Sequence, residues 1–486
     1  MRPIAKGSVL DSSARQEKRN HPVHKPLTAS HGTLRPTLTL AWPVLVEQLL
    51  VMMVGLVDLW LTGRFLEQRH MAAIGSMSYV LWLIPCTFGI VAIGALALTA
   101  RFVGARDMKS ANLVTNQAVL AGILVAAVIT LLAALFGDRF IRLTQLKPDA
   151  APLAIEYLRI ITPVIPAIML QVVGIACLRG AGDTFSGFVV MAIVNVVNIA
   201  VGASLVLGIG PFPELGWRGL AIGTACGYAV GSAVVVAMLV AGRRGLQLKK
   251  SLLRPDWQWL RRILRIGLPG GTDQVAVVCC HLWFLSIINS LGTLPAAAHG
   301  LAVRIESLAY LPGAAFQVAA ATLAGQFLGA GDRRRAARSV LVALSVGGSL
   351  MTGAGVLFFL AGGWLTQLFL GQQTGQTADL AVPLLKIVAL AMPAFAVMTI
   401  LTGGLRGAGD TRWPLLFTFA GFLLVRIPLA HYFAWEQFTI PWLDASVAGL
   451  GLGVVGAWYA MLIDIQIRGI LVGWRFAHGG WRHVRV

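Results

Sequence analysis

Charged residues are scarce in this chain. They make up 12% of its 486 residues, whereas hydrophobic residues make up 57%. A soluble domain of this size could not carry such a composition on its surface, and the mean hydropathy of +0.77 points the same way. The scarcity of charge therefore excludes a soluble globular protein and indicates a chain that crosses a membrane several times.

Cysteine pairs and catalytic motifs are also lacking. The five cysteines lie in apolar runs without metal-like spacing, so we expect neither disulfides nor a metal site; they are Cys86, Cys177, Cys226, Cys279 and Cys280. The sequence contains no H-E-x-x-H, P-loop or G-x-S-x-G motif, and no loop is long enough for a nucleotide-binding domain. We therefore expect a protein that is not an enzyme and has no cofactor.

What the chain does contain is an internal repeat. One heptapeptide occurs twice, at 178–184 and at 405–411, which is 227 residues later. Pro43 and Pro269 match at nearly the same spacing, as do Gly104 and Gly329. Repetition over half the chain indicates two copies of one structural unit.

Each copy contains six apolar runs long enough to cross a membrane. The sequence therefore predicts an all-α integral membrane protein with twelve transmembrane helices in two six-helix bundles. Because six is even, both bundles enter the membrane in the same sense, and the pseudo-two-fold axis relating them should lie along the membrane normal. The predicted spans are 38–62, 74–100, 112–136, 153–177, 186–209, 218–241, 266–290, 297–327, 337–360, 381–405, 413–434 and 447–474.

The segments between the bundles are basic. We predict a disordered cytoplasmic tail at 1–36, an N-terminal lobe at 37–241, a basic cytoplasmic linker at 242–264, a C-terminal lobe at 265–475 and a cytoplasmic tail at 476–486. The linker is expected to include a short surface helix from Asp256 to Leu264.

The lysines and arginines are distributed unevenly between the two sides of the membrane. Most of the 39 fall in the tails, the linker and the loops on the same side. The positive-inside rule then predicts a multi-pass protein of the cell (inner, plasma) membrane with both termini in the cytoplasm. This distribution also explains the net charge of +19, so no nucleic-acid partner is expected. We expect a monomer whose partners are the bilayer and small molecules. The opposite loops hold Arg64, Arg69, Arg139, Arg142, Lys147 and Arg218.

Ionisable groups at membrane depth are costly, so they are candidates for function. Glu47 and Asp58 in the first span are eleven residues apart, which places them on one helix face roughly 16 Å apart. A carboxylate there could exchange a proton or metal cation for a cationic substrate. In the second half Asp273 takes the position of Glu47, but Phe284 takes that of Asp58. Ion coupling should therefore rely on the N-terminal lobe.

Other polar residues at membrane depth are weaker candidates. Arg426 should find a carboxylate or carbonyl in its own bundle, and Asp464 should pair with Arg468 one helical turn later. As lining of a substrate cavity between the lobes we predict Gln171, Asp273, His281, Glu306 and Arg426.

The repeated heptapeptide is typical of a tight turn between helices at the membrane surface. Its arginine suits the last turn of a helix, its glycines end that helix, and Asp-Thr can cap the next one. A hinge or substrate role is the alternative. The residues concerned are Arg179, Gly180, Gly182 and Asp183, and in the second copy Arg406, Gly407, Gly409 and Asp410.

Several stretches resemble the multidrug and toxic compound extrusion (MATE) transporters, and the resemblance extends from about residue 38 over nearly the whole chain. The matching stretches are Pro43 with Val57, Asp58 and Gly63, and the two Leu-Arg-Gly-Ala-Gly-Asp-Thr turns. Further matches are the segment 213–224, the region that begins at 297–300 and ends at 329–330, and the segments 425–430 and 456–460.

The resemblance implies a two-lobed antiporter of prokaryotic type. It would expel organic cations or other amphipathic toxic compounds by alternating access while protons or sodium ions enter. Asp58 matches the coupling aspartate of the family's first helix, and Asn198 and Thr224 resemble polar members of the cluster around it. Some members carry an aspartate where this chain has Gly202, so Asp58 lacks that second acid here. Sodium-binding members place an acid in the tenth helix, which 393–405 lacks. Proton coupling is therefore favoured over sodium coupling.

The alternative function is a flippase for a lipid-linked saccharide or another amphipathic lipid, because relatives in the same superfamily share the two-lobed build. Such a flippase should line its cavity with several cations for a pyrophosphate. Few positive residues lie at membrane depth here, namely Arg159, Arg304, Lys386, Arg426 and Arg468.

Overall fold

The computed structural model describes residues 32–143, 148–370, 375–440 and 445–484, and this part of the chain is almost entirely helical. The N-terminal half consists of α1 (Leu34–Phe65), α2 (Gln68–Thr87), α3 (Gly89–Gly104), α4 (Met108–Leu143), α5 (Ala151–Ile161), α6 (Ile165–Gly180), α7 (Phe185–Leu207) and α8 (Trp217–Val240). The C-terminal half consists of α9 (Trp257–Ser290), α10 (Thr293–Gly329), α11 (Arg333–Leu370), α12 (Gln376–Gly407), α13 (Arg412–Phe419), α14 (Ile427–Ala434) and α15 (Gly453–His478). A small antiparallel hairpin, β1 (Gln437–Ile440) with β2 (Ala445–Ala448), precedes α15.

These helices form twelve membrane spans, six in each half, and confirm the predicted fold class. Eleven described helical segments are long and apolar enough to cross a membrane, and α2 with α3, bent by 42°, makes the twelfth. The bounds differ at the ends. Helix α1 begins at Leu34, inside the predicted tail, of which residues 1–31 lie outside the described part; α15 continues to His478, into the other predicted tail.

Among the described residues, three spans are divided between two helical elements and α11 is kinked at Ala361, which hydropathy alone did not predict. The break between α2 and α3 follows Pro85, and a 3₁₀ turn at Thr162–Val164, which contains a proline, separates α5 from α6. A π-helical segment at Ala420–Arg426 joins α13 to α14. Proline removes a helical hydrogen bond, and π segments interrupt the regular ladder, so each break departs from the regular α-helical pattern.

The predicted surface helix from Asp256 to Leu264 is not a separate element. Helix α9 runs without interruption from Trp257, and Asp256 caps it by accepting hydrogen bonds from the backbone of Gln258 and Trp259. The linker before it is held on α4 by three side-chain amides, which donate to its backbone carbonyls and accept from its backbone N–H groups; they are those of Asn112, Asn116 and Gln117.

The two lobes meet along a seam on one side of the molecule. The linker, the turns after α3 and α10, and residues 479–484 all lie on this side, which we call the basic side. At the seam Leu40 and Ala41 of α1 pack in one apolar cluster with Phe327, Phe476 and Trp481 of the C-terminal lobe. A second apolar cluster fills the N-terminal lobe and also takes in Leu260, Ile263 and Ile266 at the start of α9, and a third lies within the C-terminal lobe. The lobes are therefore joined at the seam by α1 on one side and by the start of α9 on the other.

Glycines allow the helices to approach closely at this seam. A Cβ atom on Gly104 would lie 2.0 Å from the carbonyl oxygen of Gln326, and one on Gly329 would lie 1.9 Å from that of Arg101. The two contacts are related by the same spacing of 225 residues, from 104 to 329 and from 101 to 326. They therefore repeat the pseudo-two-fold symmetry at the seam itself.

Replacing Gly104 with Ala should push the lobes apart on the basic side, because the backbone of Gln326 cannot yield as a flexible side chain would. We expect a cost of about 1–3 kcal/mol to the closed seam, seen as a lower Tm. Gly353→Ala is the control, since no atom lies within 4 Å of the added Cβ. Equal Tm values for the two variants would contradict this account of the seam.

Candidate functional site

The predicted ion-coupling residues Asp58, Asn198 and Thr224 meet in the N-terminal lobe. Asp58 is only 2% exposed. Its Oδ2 accepts a hydrogen bond of 3.0 Å from the Thr224 hydroxyl, and the Asn198 amide nitrogen lies 3.5 Å from its Oδ1. The same amide also donates to the Thr224 hydroxyl oxygen at 3.0 Å. The three side chains thus form one hydrogen-bonded cluster.

A close helix crossing positions this cluster. A Cβ atom on Gly223 of α8 would lie 2.6 Å from the Cα of Gly202 on α7, so position 223 needs glycine, whereas a Cβ on Gly202 would lie 3.9 Å from the Cα of Gly223. The crossing brings Asn198 and Thr224 beside Asp58 of α1. Gly202 is buried at this point, and Asp58 is the one acid of the cluster among the described residues.

Tyr157 is a fourth member that sequence reasoning missed. Its hydroxyl donates to the Thr224 hydroxyl oxygen at 3.2 Å. Thr224 therefore accepts from Tyr157 and Asn198 and gives its own proton to Asp58. The hydrogen-bond donors of the cluster thus reach the Asp58 carboxylate either directly, as Thr224 and Asn198 do, or through Thr224, as Tyr157 does. No Lys, Arg or His of the described residues forms an ion pair with Asp58.

Replacing Tyr157 with Phe should remove one donor from the cluster and leave the ring packing intact. We expect transport to fall about 5- to 10-fold, because one buried hydrogen bond contributes about 1 kcal/mol. Tyr432→Phe is the control, since Tyr432 lies on α14, far along the chain from this cluster. A Tyr157→Phe rate equal to the control rate, measured in the same vesicles, would argue against a role for this hydroxyl.

Asp58 faces a cavity of about 570 Å³ between the lobes. Along α1 the seam residues Leu40 and Ala41 precede the cavity-lining Glu47 and Asp58, so the cavity lies directly beyond the seam. Its wall is mostly apolar and includes polar groups from both lobes. Among them are Gln171, Arg179, Thr224, Tyr228, Gln274, Gln317 and Arg406.

Of the five predicted cavity residues, one lies on the described wall of this cavity. Gln171 lines this cavity, but Asp273 and Arg426 are buried in ion pairs. His281 lies beside the cavity residue Trp82, with ring centroids 5.9 Å apart. Glu306 makes no ion pair or hydrogen bond with a described residue, and its strongest charged neighbour is Arg426. For His281 and Glu306 a role in substrate binding stays a prediction.

For Glu47 a role in ion coupling stays a prediction, and the structure shows that this carboxylate has a cation partner. Its carboxylate is 2.7 Å from the guanidinium of Arg179, and both are largely buried. The second lobe repeats the contact, with Asp273 2.5 Å from Arg406. Each pair ties the first helix of a lobe to its fourth span. Glu47 is therefore neutralised by Arg179, whereas Asp58 has no such partner in the described part of the chain.

The heptapeptide is accordingly more than a surface turn. Its arginines enter ion pairs instead of serving only the helix dipole, and its first glycines, Gly180 and Gly407, allow close helix contacts. The turn itself is made by the second glycines, Gly182 and Gly409, with φ of 84° and 87°.

The aspartates of the heptapeptide also have partners. Asp183 accepts from the Ser186 backbone at 3.2 Å, as the predicted cap, and binds Arg243 of the linker at 2.8 Å. Asp410 binds Arg475 of α15. Both aspartates are buried, and these ion pairs attach each turn to a neighbouring basic segment. A hinge role for the heptapeptide stays a prediction.

The C-terminal lobe has a cationic cluster in the region that corresponds to the Asp58 cluster. Arg426 and Arg468 both contact Asp464, at 2.8 and 2.7 Å, which confirms the predicted Asp464 pair and the predicted carboxylate partner of Arg426. Both guanidiniums stack on Phe422. The lobes therefore share a fold but differ in their electrostatics.

A metal centre does not stand out in the described part of the chain, where no three His, Cys, Asp or Glu side chains are grouped to hold a metal ion. The oxygens near Asp58 come from one carboxylate, two hydroxyls and the Asn198 amide. The amide oxygen of Asn198 is buried without a hydrogen-bond donor. Oxygen groups of this kind can hold a proton or a hard cation.

A signal for the two ion pairs was present in the sequence. Acids at Glu47 and Asp273 and arginines at Arg179 and Arg406 occupy matching positions in the two repeats. Opposite charges retained at the same two positions in both copies indicate partners. Tyr157 had no comparable signal, because nothing in the apolar run around it pointed to Asp58.

Two helical lobes with a cavity between them are typical of a membrane transporter. The MatE family model matches residues 43–203 and 269–432, one segment in each lobe, each starting at one of the repeated prolines. The chain belongs to the MATE family, a family of transporters and not of enzymes.

Individual relatives agree with this assignment. The chain is 27% identical over 444 residues to the probable multidrug resistance protein NorM of Thermotoga maritima, covering 91% of this chain and 92% of the relative. It is 26% identical to the multidrug resistance protein MdtK of Yersinia pseudotuberculosis, covering 90% and 94%. A solved outward-facing multidrug resistance MATE transporter of the MOP superfamily shares the fold with a TM-score of 0.84 at 20% identity, covering 96% of this chain and 100% of that one.

Proposed function

We propose that the protein is a secondary active antiporter that exports organic cations or amphipathic toxic compounds in exchange for protons. The observation that carries this proposal is Asp58, a buried acid on the cavity wall without a cation partner among the described residues. The names of the relatives in Thermotoga maritima and Yersinia pseudotuberculosis support the substrate class.

Asp58 can serve as the coupling group because its partners suit the charged form. While the carboxylate is charged, it accepts from Thr224 and Asn198. A proton on Asp58 turns one acceptor into a donor and conflicts with these bonds. The Asn198 amide can resolve the conflict by turning its unpartnered oxygen toward the new proton.

Such a rearrangement connects the proton to the substrate. Val54, Gly55 and Asp58 of α1 all line the cavity, so a change in the hydrogen bonds of Asp58 changes the cavity wall. Loss of the negative charge also removes the attraction for a cation. Proton and cation therefore compete for the cavity. Coupled transport also requires that each of them bind with a different affinity to the inward-facing and the outward-facing arrangement of the lobes.

We infer that the basic side faces the cytoplasm of a plasma membrane, in accordance with the positive-inside rule. The closed seam then lies on the cytoplasmic side, and the cavity lies beyond it. Both described ends of the chain are on the cytoplasmic side in this orientation. A tag on either terminus should be cleaved by protease in inverted vesicles and protected in intact cells.

The test is dye transport in inverted membrane vesicles with pH and sodium gradients imposed separately. We expect a pH gradient to drive uptake of a fluorescent cationic dye at constant sodium concentration. Vesicles from cells that carry the empty vector provide the background. Uptake that follows the sodium gradient and ignores the pH gradient would refute proton coupling and leave the transporter assignment standing.

The flippase alternative receives no support from the cations near the cavity. Arg179 and Arg406 are each bound to a carboxylate, and Arg426 and Arg468 share Asp464. Arg159 is exposed and pairs with Asp138, and Arg304 and Lys386 are exposed. A pyrophosphate would thus meet four arginines that each already contact a carboxylate.

A further inference from the structure

A second pocket, of about 700 Å³, lies on the basic side and is separate from the central cavity. Four arginines and a histidine line it, namely Arg101, Arg333, Arg334, Arg482 and His483. One acid also lines it, Asp332, and this acid is 2.8 Å from the guanidinium of Arg335. The pocket therefore carries a concentrated positive charge that the described acids do not balance.

Two guanidinium nitrogens in this pocket are buried without an acceptor among the described residues. They are Nη1 of Arg101 and Nε of Arg482. Arg101 also donates from Nη2 to the carbonyl of Val484 at 3.2 Å, and Arg333 repels it. Like charges held this close are unfavourable unless an anion joins them.

The pocket is assembled from both lobes. Arg101 belongs to α3 of the N-terminal lobe, Arg333 and Arg334 begin α11, and Arg482 follows α15. Arg101 is also a seam residue, since its carbonyl oxygen contacts Gly329. Because the seam must open during alternating access, the pocket is complete only while the lobes are closed on this side.

We propose that this pocket binds a phosphate group and that binding stabilises the arrangement in which the seam is closed. Guanidinium groups bind phosphate oxygens with paired hydrogen bonds, and several arginines around one site match a phosphate monoester or diester. The phosphate can belong to an anionic lipid headgroup, which reaches basic pockets at the membrane surface, or to a free phosphate ion. Because the anion binds only the arrangement in which the seam is closed, it shifts the equilibrium toward that arrangement.

The test uses the full-length protein in an uncharged detergent. The variant Arg333→Gln/Arg334→Gln removes two charges from the pocket, and both residues are exposed, so the fold should tolerate it. The control Arg338→Gln/Arg412→Gln removes two exposed arginines that do not line the pocket. Both variants change the net charge equally.

Each protein is titrated with phosphatidylglycerol, with diacylglycerol and with inorganic phosphate at constant ionic strength, and Tm is measured. We expect phosphatidylglycerol to raise the Tm of the wild type and the control saturably, with the pocket variant requiring about tenfold or more lipid. A matching response to inorganic phosphate identifies free phosphate as a sufficient ligand; a response to phosphatidylglycerol alone identifies the lipid.

Three results would overturn the proposal. One is an equal response of the pocket variant and the control, which would mean general charge attraction. Another is an equal response to diacylglycerol, which has no phosphate, and to phosphatidylglycerol, which would mean that the lipid acts through its tails. The last is the absence of any saturable response in the wild type. Because Asp58 is not part of this pocket, the result does not depend on proton coupling.

Discussion

Asp58→Asn should reduce proton-driven dye export about 100-fold, near the upper end of the usual range of coupling free energies. Asparagine keeps the shape of the side chain and can still bind Thr224, but it cannot gain or lose the proton. The cluster remains hydrogen-bonded, so the fold should be retained. The measurement is the initial rate of dye transport in inverted vesicles under a fixed pH gradient.

Asp379→Asn is the matched control, because Asp379 is an exposed acid in the first turn of α12. It should transport at the wild-type rate. Elution as a single species on gel filtration, with a Tm near that of the wild type, would show that Asp58→Asn is folded. A folded Asp58→Asn protein that exports dye at the control rate would remove Asp58 from the mechanism.

Glu47→Gln should destabilise the protein by about 3–5 kcal/mol, because it leaves the charge of Arg179 buried without its partner. The double variant Glu47→Gln/Arg179→Gln removes both charges and should recover part of the loss. Asp273→Asn should behave in the same way, since Asp273 and Arg406 form the corresponding pair. Thermal unfolding of the purified proteins measures all three.

Glu156→Gln provides the comparison with a surface pair. Glu156 binds Arg218, whose side chain is 65% exposed, so its loss should cost at most about 1 kcal/mol. If Glu47→Gln lowered Tm no more than Glu156→Gln does, the Glu47 pair would not be a structural tie. A double variant less stable than Glu47→Gln would lead to the same conclusion.

The fold could be predicted from sequence because the membrane imposes few choices. An apolar run of sufficient length must become a helix there, since unpaired backbone groups are too costly in lipid. The repeated heptapeptide and prolines then gave the two lobes. The π segment at Ala420–Arg426 and the 3₁₀ turn at Thr162–Val164 were not predicted, because such breaks depend on neighbouring helices as well as on composition.

The site was only partly predictable. The resemblance to a known family located Asp58, Asn198 and Thr224, but no sequence pattern linked Tyr157 to them. Arg179 was interpreted as a favourable charge at a helix end. This local interpretation accounted for the arginine without a distant partner, so the ion pair with Glu47 was not predicted. Local rules describe single helices well, whereas ion pairs between distant spans require the packed structure or a comparison of the two repeats.

The central claim is that Asp58 exchanges its proton against a cationic substrate. The most direct measurement is the Kd of a fluorescent cationic dye for the purified protein across a pH series, for the wild type and for Asp58→Asn. We predict that the wild-type Kd rises as pH falls, because a protonated Asp58 no longer attracts the cation, and that the Asp58→Asn Kd stays constant. The same pH dependence in both proteins would contradict the account.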